Sequence, residues 1–197
     1  MTLILASASP ARAALLRGAG VEIDIVPARV DEDEIKASLR AEGALPRDQA
    51  DILAEMKAVS VSRANPGRLV LGADQILSFK GEAFDKPRDL SEARAHLSLL
   101  RGQRHELQSA AVIALDGAPI WRHIGVARLA MRPFSDTFLE GYLTQMGDDI
   151  LTTVGGYKLE GIGAQLFARV DGDYFAILGL PLIETLGFLR VRDALTE

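Results

Sequence analysis

The stretch TLILASASPARAALL, residues 2–16, breaks an apolar run with a short polar loop and then resumes as an alanine-rich segment. This pattern predicts a strand, a tight loop and a helix. Ser9 is a favourable N-cap, and Pro10 falls at the first helical position, where its missing N–H costs no hydrogen bond. The first helical turn, with Ser7, Ser9 and Arg12, would then face one small volume, which favours a bound anion such as phosphate. Ordinary α/β connections show the same pattern, so the loop alone does not identify a ligand.

Length and composition favour a folded protein with one hydrophobic core. The chain has 197 residues, of which 48% are apolar and 25% are charged, and it contains no evident repeat or linker. We therefore predict a single domain over residues 1–197. The formal charge of −5 disfavours a general binder of nucleic acid or anionic membranes, because such a protein needs a basic face. A localised cationic pocket is compatible with this balance.

Cysteine usage and hydrophobic runs bear on the cellular compartment. The chain has no cysteine, which excludes a disulfide framework, a thiolate nucleophile and Cys-ligated zinc. No apolar run approaches the length of a membrane span, and the N-terminus lacks the basic region of a signal peptide. We expect a cytoplasmic protein without a membrane partner.

The remaining chain predicts parallel βα units combined with antiparallel hairpins. Asp116-Gly117 joins two long alternating segments and is a preferred dipeptide for a two-residue hairpin turn. The predicted strands cover residues 2–6, 21–26, 68–71, 76–79, 105–115, 119–131, 151–154, 165–170 and 174–178. The resulting fold class is an α/β protein with a mixed sheet flanked by helices.

Helix predictions rest on capping residues and apolar spacing. The acidic run over residues 31–34 has an ordinary explanation as a solvated edge. After a polar connection over 36–47, Asp48 is expected to cap a helix whose apolar face is Ile52, Met56 and Val59. Further helices are expected after Ser9, from Ser91, from Ser135 and after Gly179-Leu180-Pro181, and the last of these should bury Ile183, Leu186 and Leu189.

Polar residues fall at strand ends or glycine-rich turns in several separate places. Ligands of α/β sheets collect at such ends, and Asp74 is predicted to follow a buried strand. The cations Arg12, Lys57 and Lys86 suit phosphate. The carboxylates of Glu32 and Asp74 are hard oxygen ligands for Mg²⁺ or Mn²⁺. Taken singly, each residue also has an ordinary explanation as a turn or solvated side chain. The set comprises Ser9, Arg12, Glu32, Lys57, Asp74, Gln75, Lys86, Lys158 and Glu160.

These segments, in this order, resemble the Maf family of nucleoside triphosphate pyrophosphatases. The resemblance runs nearly from end to end. The matching stretches are residues 5–12 with 15–16, 30–32, 57–58, 72–75, 86–87, 156–158 with 160–161, and 179–182.

The resemblance implies an elongated fold of two lobes around a central cleft, like that of the inosine triphosphate pyrophosphatases, and a homodimer. It also implies hydrolysis of a nucleoside triphosphate between its α and β phosphates, which gives the monophosphate and pyrophosphate. A divalent cation, Mg²⁺ or Mn²⁺, is the implied cofactor.

The resemblance assigns roles to the charged residues. Asp74 matches the proton acceptor, while Arg12, Lys57 and Lys86 would neutralise the departing pyrophosphate. Glu32, together with Asp74, would bind the metal. An aspartate of ordinary pKa is a weak base at neutral pH, so we expect its base and metal functions to be coupled.

Three further positions are associated with choice of the base in this family, and here they are Ala11, Gln75 and Glu160. They do not match the pattern of members that act on dTTP and UTP. Gln75 and Glu160 resemble the subgroup that acts on 7-methyl-GTP, and a carboxylate can accept two hydrogen bonds from the guanine edge. That subgroup usually has Trp where this chain has Ala11, so Tyr157 or Phe167 would have to supply an aromatic face.

Other interpretations stay open at this point. Activity on dTTP, UTP or another non-canonical nucleotide is one alternative, and a non-catalytic nucleotide-binding regulator of septum formation is another. Three scattered histidines lack ligand spacing and are expected to be structural, although His105 falls in a loop of the family pattern. Trp121 is expected to pack on the hairpin.

Overall fold

Seven strands within residues 2–195, the part of the chain that the computed structural model describes, form one open mixed sheet in the order β2-β1-β3-β5-β6-β7. The short strand β4 pairs with β3 beyond the end of β1. β1 is parallel to β2 and β3, and the other pairs are antiparallel. The strands are β1 Leu3–Leu5, β2 Ile23–Ile25, β3 Val70–Phe79, β4 Glu82–Phe84, β5 Arg104–Leu115, β6 Ala118–Met131 and β7 Phe167–Asp171.

Helices cover both faces of this sheet, as the predicted fold class requires. They are α1 Pro10–Gly18, α2 Glu32–Ala41, α3 Pro46–Arg63, α4 Leu90–Leu100, α5 Asp136–Met146, α6 Tyr174–Ile177 and α7 Leu182–Val191. Short 3₁₀ turns span Gly147–Thr152, Val154–Gly156 and Ile162–Leu166. Among the described helices, none combines the length and the apolarity that a membrane crossing needs. The single domain over 1–197 stays a prediction, and positions 1, 196 and 197 lie outside the described residues.

The central strand β3 organises the core because its alternate side chains face opposite sides of the sheet. On one side, Leu71 and Ala73 belong to an apolar cluster with α1 and α7, whereas Leu77 and Phe79 belong to a second cluster with α4 and α5. Gln75 lies between them on the same side. The two clusters thus lie on either side of a cleft that opens at the middle of β3.

On the other side of β3, the helix α3 lies unusually close to the sheet. A Cβ atom on Gly72 would overlap the backbone oxygen of Ala54 and would lie 2.6 Å from the backbone nitrogen of Ala58. Both alanines are fully buried. The close approach therefore depends on a glycine in the strand and on small residues in the helix.

Two local predictions are confirmed. Ser9 caps α1, with its Oγ accepting a hydrogen bond from the backbone N–H of Arg12 at 3.4 Å. Asp116 and Gly117 both have positive φ, 52° and 78°, as a type I′ turn between β5 and β6 requires.

The prediction for residues 32–63 is wrong in two respects. The acidic run and the connection after it form the helix α2, which Asp31 caps, and α3 begins at Pro46 rather than after Asp48. The predicted apolar face of α3 is also wrong, because Ile52 and Met56 are exposed. The sheet instead contacts Leu53 and the alanines of α3, and the small size of Ala54 and Ala58 permits the close approach at Gly72.

Other elements differ from their predictions as well. Residues 151–154 form 3₁₀ turns rather than a strand, and 174–178 form the helix α6, which Asp173 caps. Asp89 rather than Ser91 caps α4, and β4 was not predicted. In α7, Leu189 is buried as expected, but Ile183 is 56% exposed. A short apolar run does not by itself distinguish a buried strand from a short helix.

Candidate active site

An unpaired stretch of the β3 edge locates the candidate site. On that edge, the pairing with β1 ends at Leu71 and the pairing with β4 begins at Leu77, while β5 pairs along the opposite edge throughout. Asp74 therefore lies within a continuous strand, and the prediction that it follows a strand end is wrong. It still lies beside the carboxyl end of β1, where the loop that contains Ser7 leaves the sheet.

A buried lysine bridges the two predicted carboxylates. Nζ of Lys57 lies 2.7 Å from Oδ1 of Asp74 and 2.9 Å from Oε1 of Glu32. The side chains of Lys57 and Asp74 are each 8% exposed, whereas Glu32, in the first turn of α2, is 42% exposed. The close packing of α3 on Gly72 brings Lys57 this near to the strand.

Arg12 connects three distant segments at the same place. Its Nη1 donates to Oγ of Ser7 at 3.0 Å and to the carbonyl of Ala73 at 2.9 Å, and its Nε donates to the carbonyl of Gly179 at 2.8 Å. Ser9 caps the same helix. The structure thus brings together the predicted N-terminal anion site and the unpaired edge of β3.

The shifts in pKa follow from this crowding of charges. Burial acts to raise the pKa of Glu32, but the charge and hydrogen bond of Lys57 outweigh it, so the pKa lies below its ordinary value. Burial lowers the pKa of Lys86, which lies between β4 and α4, and nearby Arg12 lowers it further. Burial also lowers the pKa of Arg12, against the attraction of Asp74. All five predicted charged residues therefore lie within electrostatic reach of one another.

The donor set fits a divalent cation that shares its coordination with phosphate. Oδ2 of Asp74 is buried and has no hydrogen-bond partner among the described residues. Within residues 2–195, no group of three or more His, Asp or Glu side chains forms a complete metal cage. Mg²⁺ is commonly held by one or two carboxylates together with substrate phosphates and water, and Asp74 and Glu32 can supply those carboxylates.

A second group of predicted residues lines a separate cavity, which we call the selectivity cavity. Ala11, Gln75 and Glu160 all line it, as do Lys158 and Tyr157. Because Gln75 is adjacent to Asp74 in β3, the two side chains face opposite sides of the sheet. The three positions associated with base choice therefore meet in one place, next to the charged cluster.

Gln75 is fixed in orientation by neighbours that the sequence did not indicate. Its Nε2 donates to Oγ of Ser109 at 2.9 Å and to the carbonyls of Ala176 and Ile177 at 3.0 and 2.9 Å. Ser109 is fully buried and itself donates to Ala176 at 2.6 Å. The side-chain carbonyl oxygen of Gln75 accepts no hydrogen bond within residues 2–195, so it is available as an acceptor. In the sequence, the one sign of this anchoring was a serine within the apolar strand β5.

The wall that carries Glu160 is held by aromatic residues. Tyr157 is buried, and its hydroxyl lies 2.7 Å from Nε2 of His105, whose pKa burial lowers to about 4. Phe167 packs edge-on against Tyr157, at 4.8 Å between ring centroids, and does not line the selectivity cavity. Glu160 itself is exposed. Of the two aromatic candidates, only Tyr157 borders the cavity.

The remaining candidates have structural contacts. Lys158 lies 3.1 Å from Oδ2 of Asp149 while lining the selectivity cavity. Trp121, on the hairpin strand β6, stacks on Phe188 of α7 at 5.3 Å between ring centroids, so it packs structurally, against α7.

Comparison with known proteins supports one family. The family model described as Maf-like protein matches residues 2–192. A nucleoside triphosphate pyrophosphatase of Caulobacter vibrioides is 55% identical over 98% of this chain and 96% of that protein. A nucleoside triphosphate pyrophosphatase of Hyphomonas neptunium is 52% identical over 99% of this chain and 98% of that protein. A protein of Brucella abortus named 7-methyl-GTP pyrophosphatase is 48% identical over 95% of this chain and 94% of its own length.

Proposed function

Because this chain belongs to the Maf family and is a nucleoside triphosphate pyrophosphatase, we propose that it cleaves a guanine-type nucleotide, such as 7-methyl-GTP, between the α and β phosphates. The observation that carries this proposal is the buried bridge of Lys57 between Asp74 and Glu32, next to the selectivity cavity. Phosphate-binding charges and a cavity for a base lie on opposite sides of β3. Ala11, which lines the cavity, and Arg12, which belongs to the charged cluster, are adjacent at the start of α1, so one extended nucleotide that passes the unpaired edge of β3 can reach both.

The charged cluster supports hydrolysis at the α-phosphorus. The free oxygen of Asp74, Oδ2, can accept the proton of the attacking water. Arg12 and Lys86 provide positive charge for the departing pyrophosphate, and Lys57 can turn from its carboxylates to a phosphate oxygen. Mg²⁺ or Mn²⁺, bound by Glu32 and Asp74, would polarise the phosphate and offset its charge.

The selectivity cavity supports a guanine-type base. Gln75 presents a carbonyl oxygen and Glu160 a carboxylate, so both are hydrogen-bond acceptors. Guanine offers adjacent N–H and amino donors, whereas uracil and thymine offer one ring N–H. Ala11 leaves this side of the cavity without a large side chain. Tyr157 is the aromatic residue placed to contact a methylated, cationic ring.

A nucleotide panel tests the proposed reaction. The purified protein would be incubated with Mg²⁺ or Mn²⁺ and with 7-methyl-GTP, GTP, UTP or dTTP, and pyrophosphate would be measured separately from orthophosphate. We expect pyrophosphate, with 7-methyl-GTP as the best substrate. Preference for UTP or dTTP would contradict the assignment of the base. Nucleotide binding without turnover would favour the non-catalytic regulator.

Replacing Glu160 tests the base assignment directly. We expect Glu160→Gln to lower kcat/KM for the best guanine substrate by about tenfold or more, because a charge-assisted hydrogen bond is lost. The activity on UTP should change less. Glu140→Gln, at an exposed carboxylate of α5, is the matched control. Equal kcat/KM values for wild type and Glu160→Gln would contradict the role of this residue.

Two further proposals rest on the family resemblance and on composition. We propose that the enzyme is a homodimer and that it works in the cytoplasm without nucleic-acid or membrane partners. Sedimentation of the purified protein would give the oligomeric state. A gel-shift experiment over a range of salt concentrations would test binding to nucleic acid.

A further inference from the structure

A large cavity lies at the far end of the sheet from the catalytic carboxylates. Its volume is about 590 Å³, and it is lined by the turn after β3, the start of β5 and the ends of β6 and β7. Ser78 is its nearest lining residue on β3, four residues beyond Asp74 and on the same face. That spacing corresponds to roughly 13 Å along a strand. The cavity is therefore distinct from the site described above.

Positive charge predominates in this cavity, which we call the arginine cavity. Its cations are Lys80, Arg104, Arg128 and Arg169, and its carboxylates are Glu106 and Asp171. The resulting net charge is positive in a protein whose overall formal charge is −5. His105 also lines the cavity, but its lowered pKa keeps it neutral at pH 7. The positive charge thus comes entirely from lysine and arginine.

The pairing of these cations leaves donors free. Arg128 uses Nε to bind Glu106 at 3.0 Å, and Arg169 uses Nε to bind Asp171 at 2.7 Å. Within residues 2–195, the terminal nitrogens of these two guanidinium groups donate no hydrogen bond, because the contact of each arginine with its carboxylate uses Nε. In the same part of the chain, Lys80 and Arg104 lie within 4.0 Å of no carboxylate oxygen.

The backbone at Lys80 is a separate observation. Lys80 has φ of 54° and Gly81 has φ of 88°, so both occupy the left-handed region in the tight turn between β3 and β4. Asn, Asp or Gly is the usual residue at the first of these positions, because a lysine is strained there. Strained residues of this kind cluster at ligand sites. The strained position places a lysine at the border of the arginine cavity.

We propose that the arginine cavity binds a small polyphosphate anion as a second site, separate from the active site. Guanidinium groups with free N–H donors match phosphate oxygens in pairs, and a concave wall concentrates their field. The cavity volume lies within the range of small-molecule sites. The anion can be free inorganic polyphosphate or the phosphate chain of a nucleotide, because both offer the same oxygens.

Calorimetric titration with inorganic tripolyphosphate, in EDTA and low salt, tests this proposal. We expect two sites per chain in the wild-type protein. Lys80→Glu/Arg104→Glu should weaken one site at least tenfold, and Lys86→Ala should weaken the other. The matched control is Arg17→Glu/Arg47→Glu, which makes the same charge change at two exposed positions of α1 and α3 and should keep both sites.

A single wild-type site that Lys86→Ala weakens and Lys80→Glu/Arg104→Glu leaves intact would overturn the proposal. If the charge reversal prevents folding, Lys80→Ala/Arg104→Ala replaces it in the same titration. A second titration, of the Lys86→Ala protein with GTP, identifies the source of the anion at the arginine cavity: tighter binding than tripolyphosphate indicates a nucleotide, and equal or weaker binding indicates the phosphate chain alone. Neither Lys80 nor Arg104 borders the active site, so a negative result leaves the proposed function intact.

Discussion

The Asp74→Asn variant is expected to lose about 10³-fold in kcat/KM while it still binds nucleotide. The asparagine keeps an oxygen that can accept the hydrogen bond of Lys57, so the buried lysine retains one partner in addition to Glu32. It lacks the second carboxylate oxygen, which is buried and free in the wild-type protein. Loss of a general base costs typically 10² to 10⁴ in rate, and loss of a metal ligand adds to that cost.

Release of pyrophosphate and calorimetric binding of nucleotide would both be measured for this variant. Asp136→Asn is the matched control, because Asp136 is an exposed carboxylate of α5 that pairs with Arg101 at 2.7 Å. Thermal melts would establish that both variants fold. Wild-type activity in a folded Asp74→Asn protein would refute the assignment of the base.

The Gly72→Ala variant is expected to lose about 3 kcal/mol of stability. The added methyl group would meet the backbone of α3 at Ala54 and Ala58, and a helix backbone cannot move aside as a flexible side chain can. For a chain of this size, a loss of 3 kcal/mol corresponds to a fall in Tm of roughly 10 °C. Activity should fall as well, because any shift of α3 moves Lys57 away from Asp74.

Gly141→Ala provides the comparison for that melt. Gly141 lies within α5, and an added Cβ would meet nothing within 4 Å. Alanine is the better helix former, so the Tm of Gly141→Ala should equal or exceed the wild-type value. If Gly72→Ala melted at the same temperature as Gly141→Ala, the close approach of α3 to β3 would not be a determinant of stability.

Local signals in the sequence were enough for some elements and insufficient for others. The cap at Ser9 and the turn at Asp116-Gly117 were predicted because their backbone geometry depends on adjacent residues. The helix α2 has no fully buried residue, although Ile35 and Leu39 are spaced one helical turn apart. This spacing was not used, and the cap by Asp31 and the acidic first turn were interpreted as a solvated edge.

The buried face of α3 could not be predicted from the size of its apolar residues. Ile52 and Met56 are exposed, whereas Leu53 and three alanines, at positions 50, 54 and 58, are buried against the sheet. The distance between helix and strand decides which face is buried, and that distance depends on Gly72 in β3, outside the helix whose periodicity was used. Tertiary packing therefore outweighed the local pattern at the position that also brings Lys57 into the site.

The candidate site was predicted as a set of residues, but its geometry was not. The family resemblance supplied Arg12, Lys57 and Asp74, and the structure brings them together. The anchoring of Gln75 by Ser109 was not foreseen, because it also needs the carbonyls of α6, a segment predicted as a strand. Contacts between segments so far apart in the chain leave no local pattern in the sequence.

The segment from Ala176 to Gly179 has a consequence for the order of events during synthesis. Its carbonyls hold both Gln75 and Arg12, and Arg12 precedes Gly179 by 167 positions. Domains fold while the chain leaves the ribosome, N-terminal parts first. Strands β1 to β6 are therefore made before either side chain has these last partners, although Ser7, Ala73 and Ser109 are already present. The complete set of hydrogen bonds that orients Arg12 and Gln75 therefore forms only after translation has passed Gly179.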